Sequence, residues 1–287
     1  MRKTEEILKR FVPPLTSTPV HKVPGFSFEI IGDIAIVKML HTDKSKRKTI
    51  GEALLRDIRQ IRVVLAQKGP IGGEYRIREM EHLAGEPRTT TIHKEYGCSF
   101  SIDLSRVYFS PRLSTERMRV ADLVTPGEYV LNMFAGVSPF SILIAKKQPQ
   151  CTIVEIELNL VAHELARKNA VRNKVSERIE QIHGDTKREL EGVQGRFDRV
   201  LIPLPESSFE FLESAIRSIK KQGGWIHFYT HMHGRSNADA IESARVKLEE
   251  PLRSRGSLRY SRVVKGIGPG WYQIVADLEI YPIQQAQ

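Results

Sequence analysis

Between Ser114 and Thr230 short apolar runs alternate with segments of helical period, and this alternation restricts the fold more than any other feature of the chain. The pattern predicts helices over 114–124, 138–147, 160–172 and 206–221, with strands over 128–132, 152–156, 179–182, 197–202 and 224–230. Strands that recur after helical segments form a parallel sheet with crossover helices, an α/β architecture. Two later runs, 260–264 and 271–281, flank Gly266-Ile-Gly-Pro-Gly270 and are expected to close as an antiparallel pair.

Upstream the texture differs. Residues 1–25 carry a short helical pattern over 4–11 and then Pro13, Pro14, Pro19 and Pro24, the composition of an arm and extended linker. From Phe26 apolar residues alternate around the turn pair Gly32-Asp33, which predicts a hairpin. Leu54, Leu55, Ile58, Ile61, Val64 and Leu65 follow at helical spacing within 50–67, and three strand-like stretches end near 107–109. The expected organisation is therefore an arm over 1–25, a smaller α+β domain over 26–113 and the α/β domain over 114–287. Hydrophobic residues at 40% and charged residues at 27% exclude a disordered chain. The two cysteines, Cys98 and Cys151, supply no disulfide framework, and no apolar run reaches the roughly 20 residues of a membrane span. A cytoplasmic protein with no membrane partner is expected. A formal charge of +10 points toward a polyanion, because each Lys or Arg set against a phosphate releases counterions.

Three short segments carry chemistry. Val130-Leu-Asn132-Met-Phe134-Ala-Gly136-Val137-Ser138 leads an apolar strand into a small-residue loop that opens a helix, where a ligand can approach the backbone closely. Gly136 is its one glycine, so the dinucleotide fingerprint is absent. About twenty residues on, Glu157 ends the next strand, where doubly wound folds set a carboxylate on ribose hydroxyls. Asp185 ends the third, placed to accept from an adenine amino group. A carboxylate near a helix N-terminus is the plainer reading of Glu157, and a loop residue that of Asp185.

Taken together the loop and the two acids resemble class I S-adenosylmethionine-dependent methyltransferases, with Asn132 standing where many carry Asp or Glu. The fold implied is a Rossmann-like class I methyltransferase domain preceded by the smaller α+β domain, and the cofactor implied is S-adenosyl-L-methionine. Tyr108-Phe-Ser-Pro-Arg112-Leu-Ser-Thr-Glu116-Arg117-Met-Arg119-Val120, with 132–140 and His227-Phe-Tyr-Thr230, further resembles the archaeal and eukaryotic enzymes that methylate N1 of guanosine 37 in tRNA. This resemblance spans roughly 26–281. It implies Glu116 as general base and Arg76 as the cation at O6, with Arg112, Arg117 and Pro203 on the substrate side. Arg117 would tether Glu116 or nearby backbone, and Tyr108, Phe134 and Val137 would line the cofactor pocket beside Asn132, Gly136, Glu157 and Asp185. From the residues alone, Glu116 can equally belong to a capping arrangement with Ser114 or Thr115.

Two departures stand out. After the fourth strand the family typically has Asn-Leu-Pro, whereas this chain reads Ile202-Pro203-Leu204-Pro205, and proline offers neither side-chain amide nor backbone N–H. That keeps wybutosine-pathway chemistry on the same nucleoside open, as well as an RNA-binding protein without catalysis. Many archaeal relatives also carry an extra tRNA-corner domain, which is expected to be missing here. Recognition would then fall to the smaller domain, a loop at Lys44-Ser-Lys46-Arg47-Lys48 and the anticodon stem-loop of tRNA. His231 and His233 lack the spacing of a helix-borne metal motif, so no metal is expected, and the protein is expected to act as a monomer.

Overall fold

A computed structural model describes residues 26–39, 44–69 and 72–283, apart from the side chains of 26, 27, 39 and 44–46. The arm and linker expected over 1–25 lie outside the described residues. The chain divides into two compact units, Met1–Glu95 with Ser99–Pro111, and Tyr96–Cys98 with Arg112–Gln287.

In the first unit the expected hairpin forms from β1 (Phe26–Ile31) and β2 (Ile34–Met39), followed by α1 (Lys44–Asp57), β3 (Val63–Gln67) and β4 (Met80–Gly85). These strands make a four-stranded sheet in the order β1-β2-β3-β4, with β2 and β3 parallel. The turn at Gly32 needs glycine: its φ is +59°, and a Cβ there would lie 2.1 Å from Thr91 Oγ1. Beside it Asp33 accepts from Arg88 Nη1 at 3.0 Å and Thr91 Oγ1 at 2.7 Å, and the Arg88 bonds hold its carboxyl below the usual range. A separate hairpin of β5 (Thr90–Glu95) and β6 (Cys98–Asp103) turns through Tyr96 and Gly97, both at positive φ.

Two expectations change here. The helical spacing over 50–67 ends at Asp57, and Val63–Gln67 is a central strand. A short run of Val, Leu and Ala satisfies either period, and burial on both faces selects the strand. The basic run expected as a loop is the first turn of α1, with Arg47 paired to Glu81 at 3.4 Å.

The second unit starts with a 3₁₀ turn at Pro111–Leu113 and α2 (Ser114–Leu123). There follow β7 (Tyr129–Asn132), α3 (Pro139–Lys147), β8 (Thr152–Glu157), α4 (Leu160–Arg172), β9 (Ile179–His183), α5 (Thr186–Glu189) and β10 (Arg199–Ile202). The unit ends with α6 (Ser208–Ser218), β11 (Gly224–His233), α7 (Asn237–Leu252), β12 (Gly256–Gly268) and β13 (Trp271–Ile280). Seven strands lie in the order β12-β13-β11-β10-β7-β8-β9. The five from β9 to β11 are parallel, and β13 enters antiparallel between β11 and β12. Chain order reverses between β7 and β10, so their carboxyl ends open the crevice in which doubly wound sheets bind ligands. Helix α7 is not among the expected helices. Its buried stripe is Ala240, Ala244, Leu248 and Leu252, and alanine gives little periodic signal.

Candidate active site

At the carboxyl end of β7 the loop is held from three sides. Met133 N–H donates to Leu201 O at 3.0 Å, Ala135 N–H to Ile156 O at 2.9 Å, and Thr186 Oγ1 to Met133 O at 2.7 Å. Gly136 (φ +56°) and Ser138 (φ +68°) turn the chain through left-handed conformations into α3. For Ser138 this is costly backbone, compensated by a buried bond from its Oγ to Glu155 at 2.6 Å. Glu157, two residues along the same face of β8, accepts from Gly136 N–H at 2.6 Å and Asn159 N–H at 2.8 Å. Burial pushes the carboxyl groups of both Glu155 and Glu157 up.

Other expected cofactor residues are placed as follows. Asn132 is buried, donating to Ser141 Oγ at 3.0 Å and accepting from Phe134 N–H at 3.4 Å. Phe134 meets Phe211 edge-on at 4.7 Å. Val137 is fully enclosed, its carbonyl taken by Asn169 at 3.1 Å, so it supports the loop from beneath. Asp185 caps α5 through Lys187 N–H at 3.0 Å. In the first unit the guanidinium of Arg76, a residue with φ +53°, lies over the Tyr108 ring at 4.2 Å, a pairing the sequence did not suggest.

Glu116, on the first turn of α2, is 1% exposed. The capping arrangement is not formed: Leu113 is the N-cap, and no side chain caps the helix. Instead Arg119 grips Glu116 with Nη2 on Oε1 at 2.7 Å and Nε on Oε2 at 3.0 Å. Tyr229 OH donates to Oε1 at 3.0 Å, and Arg262 Nη2 donates to Oε2. Arg119 also holds Asp277 through Nη1 at 2.6 Å. Although burial disfavours its charge, the bonds from His227 and Arg119 keep the Asp277 carboxyl down at about 2.

The chain of contacts continues through the sheet. Burial pushes His227 below its ordinary value, so its ring is neutral, with Nδ1–H donating to Asp277 Oδ1 at 2.7 Å. Its Nε2 then accepts from Arg199 Nη1 at 2.8 Å, and Arg199 closes on Glu128 at 2.6 Å. Three carboxylates thus face three guanidiniums, and every charge has a partner. Arg117, expected to tether Glu116 or nearby backbone, is buried, and a bidentate grip on Glu116 comes from Arg119. Asp277, His227 and Arg199 had a partial signal: Asp277 and His227 each stand between two apolar neighbours in their strands, and Arg199 opens the apolar run Val200-Leu-Ile202. Pro203 follows β10 at the crevice, and Arg112 is exposed.

A basic cavity of about 1050 Å³, lined by Arg217, Lys220, Lys221 and Arg255, opens at the opposite, amino-terminal edge of the sheet, away from these groups. Among the described residues no three metal-binding side chains cluster, and no helix is long and apolar enough to cross a membrane.

Residues 91–254 match the model of the TRM5/TYW2 methyltransferase domain, and residues 5–89 that of the TYW2 N-terminal domain. The chain belongs to the TRM5/TYW2 methyltransferase family. Among TRM5/TYW2 relatives, the tRNA (guanine(37)-N(1))-methyltransferase Trm5b of Pyrococcus abyssi is 36% identical, over 95% of this chain and 77% of the relative. The tRNA 4-demethylwyosine(37)-methyltransferase Taw21 of Saccharolobus solfataricus is 33% identical, over 88% of this chain and 92% of the relative. The structure of aTrm5 in complex with tRNALeu superposes with a TM-score of 0.78 at 34% identity, covering 97% of this chain and 75% of that one. S-adenosylmethionine, the family's methyl donor, fits the donor set of this TRM5/TYW2 chain. Each Glu157 oxygen accepts one backbone N–H and keeps capacity for a ribose hydroxyl, and the Gly136 turn exposes backbone at the switch point.

Proposed function

We propose that this chain is a tRNA methyltransferase that transfers a methyl group from S-adenosylmethionine to N1 of guanosine 37. The observation that carries the reading is the family's Tyr108–Arg119 stretch, folded so that Glu116 sits among Arg119, Arg262 and Tyr229. Guanine N1 bears a hydrogen, so methylation requires a base to remove that proton and a cation to hold the charge that develops on O6. In this reading Glu116 takes the proton, and the role of the cation at O6 is assigned to Arg76 by the family resemblance alone. When bound, the cofactor supplies an electrophilic methyl on a sulfonium. Reaching the base requires one donor to leave the Glu116 carboxylate. Arg262, with a side chain 33% exposed, is the one placed to do so, while Arg119 stays anchored on Asp277.

The deciding assay incubates purified protein with unmodified tRNA and labelled S-adenosylmethionine, then reads nucleosides by mass spectrometry. 1-Methylguanosine at position 37 is the expected product, and no transfer to any tRNA overturns the proposal. Pro203 favours a second reading in which the loop accommodates the bulkier tricyclic base that Taw21 methylates. With plain and tricyclic tRNA in competition, the wild type is expected to prefer guanosine, and Pro203→Asn to leave that preference unchanged. Exclusive use of the tricyclic substrate establishes the second reading.

Cofactor affinity is expected to depend on Glu157. Charge-assisted bonds to a ribose diol are worth roughly 1.5–3 kcal/mol, so Glu157→Ala weakens S-adenosylmethionine binding by about 10- to 150-fold in calorimetry. Wild-type affinity in that variant returns Glu157 to a purely structural role as acceptor for Gly136 and Asn159.

A further inference from the structure

The register of β11, β13 and β12 determines which side chains share the Glu116 face of the sheet. On β11, His227, Tyr229 and His233 fall on one side by the two-residue period. Asp277 pairs with His227 and Trp271 with His233 without a register shift between them, so Trp271 lies on the side that holds Glu116. Tyr260 and Arg262 of β12 belong to that side too, since one covers Arg119 at 5.0 Å and the other reaches Glu116. Four residues of β13 separate Trp271 from the partner of Tyr229, about 13 Å along the strand.

At this outer end the indole is 46% exposed. His233, itself exposed, packs against it at 5.4 Å, steeply tilted. Its neighbour on β12 is Gly268, where a Cβ would meet nothing within 4 Å, so the flank of the indole is open space. Lys265 lies two pairings inward, opposite Gln273, and the side chain of Arg235, two residues past His233, is 97% exposed and lies 3.9 Å from Asp239. An exposed aromatic ring, an open flank and flanking cations are the recognition chemistry of an unstacked nucleobase on a phosphate backbone.

We infer that Trp271, with His233 packed against it, is a stacking platform for an unpaired base of the RNA loop close to the reacting guanosine. This rests on the tRNA reading of the Glu116 site and adds a contact to it. Extruding one base leaves its neighbours unstacked, and an aromatic face a few nucleotides from the proton-removing carboxylate takes up such a neighbour.

The chain has two tryptophans, and the other, Trp225, lies at the start of β11 at the far end of the sheet. Trp225→Phe therefore makes Trp271 the sole indole reporter. Titrating that variant with a synthetic anticodon stem-loop RNA is expected to quench its fluorescence, whereas Trp271→Phe protein shows no quenching. Trp271→Ala should bind the stem-loop about 5- to 100-fold more weakly with unchanged S-adenosylmethionine affinity, while Trp271→Tyr retains most of the binding. Methylation and binding of the stem-loop by wild type, with a silent Trp271 and wild-type affinity in Trp271→Ala, overturns the platform and leaves the tRNA reading intact. Failure of wild type to bind RNA overturns both. Loss of self-association in Trp271→Ala, seen by sedimentation with RNA affinity unchanged, assigns the face to a second copy and overturns the inference.

Discussion

Glu116→Gln is expected to lower the single-turnover rate of methyl transfer to saturating tRNA by about 10²–10⁴-fold, the range for loss of a general base. The amide is isosteric and keeps an oxygen for Arg119 and Tyr229, so positioning survives while the proton acceptor is lost. It also removes one negative charge from between two guanidiniums, which weakens the buried cluster. Cofactor affinity separates the two effects: Glu157 and the 132–138 loop make their own bonds, so S-adenosylmethionine binding should match wild type while the rate collapses. A rate within a few fold of wild type, at equal cofactor affinity, removes Glu116 from proton transfer.

How far the fold could be read depended on how each element is buried. The strands β7, β8 and β10 were legible because parallel strands covered on both faces are continuous apolar runs. The same property misled at Val63–Gln67, where a buried strand continued the spacing of α1. The cofactor loop was legible through composition, since Ala135, Gly136 and Ser138 suit a tight strand-to-helix turn. Its support was less so: Glu155 and Glu157 share a face of β8, but their tasks depend on which backbone N–H or hydroxyl each meets. The Glu116 cluster was legible at one residue and hidden in its partners. Arg262 and Asp277 lie 146 and 158 positions along the chain from the residues they contact, on strands whose pairing no local pattern specifies. What sequence offers at such positions is an anomaly, a charge inside an apolar strand, and Asp277 in Ile274-Val-Ala-Asp277-Leu is one.

That anomaly makes Asp277 a sensitive position for stability. It accepts from His227 and from two nitrogens of Arg119, so Asp277→Asn leaves a buried guanidinium with one carboxylate fewer and an imidazole facing an amide. Breaking a buried pair in this way costs about 3–5 kcal/mol, read as a lower urea midpoint for the variant. The pH dependence gives a second signature with a definite sign. The folded carboxyl titrates at about 2 against 3.8 for an unperturbed aspartate, so its contribution is fully present above pH 4 and is lost as pH falls toward 2. Over that window about 2 kcal/mol of the difference between wild type and Asp277→Asn should disappear, because protonation of the wild type produces much what the substitution does. His227 does not reverse the sign: burial pushes its pKa below the ordinary value, so it too favours the unfolded state as pH falls. Urea denaturation of both proteins from about pH 5 downward tests this, and a stability difference that stays constant with pH would show that the Asp277 carboxylate is not the element holding Arg119 against Glu116.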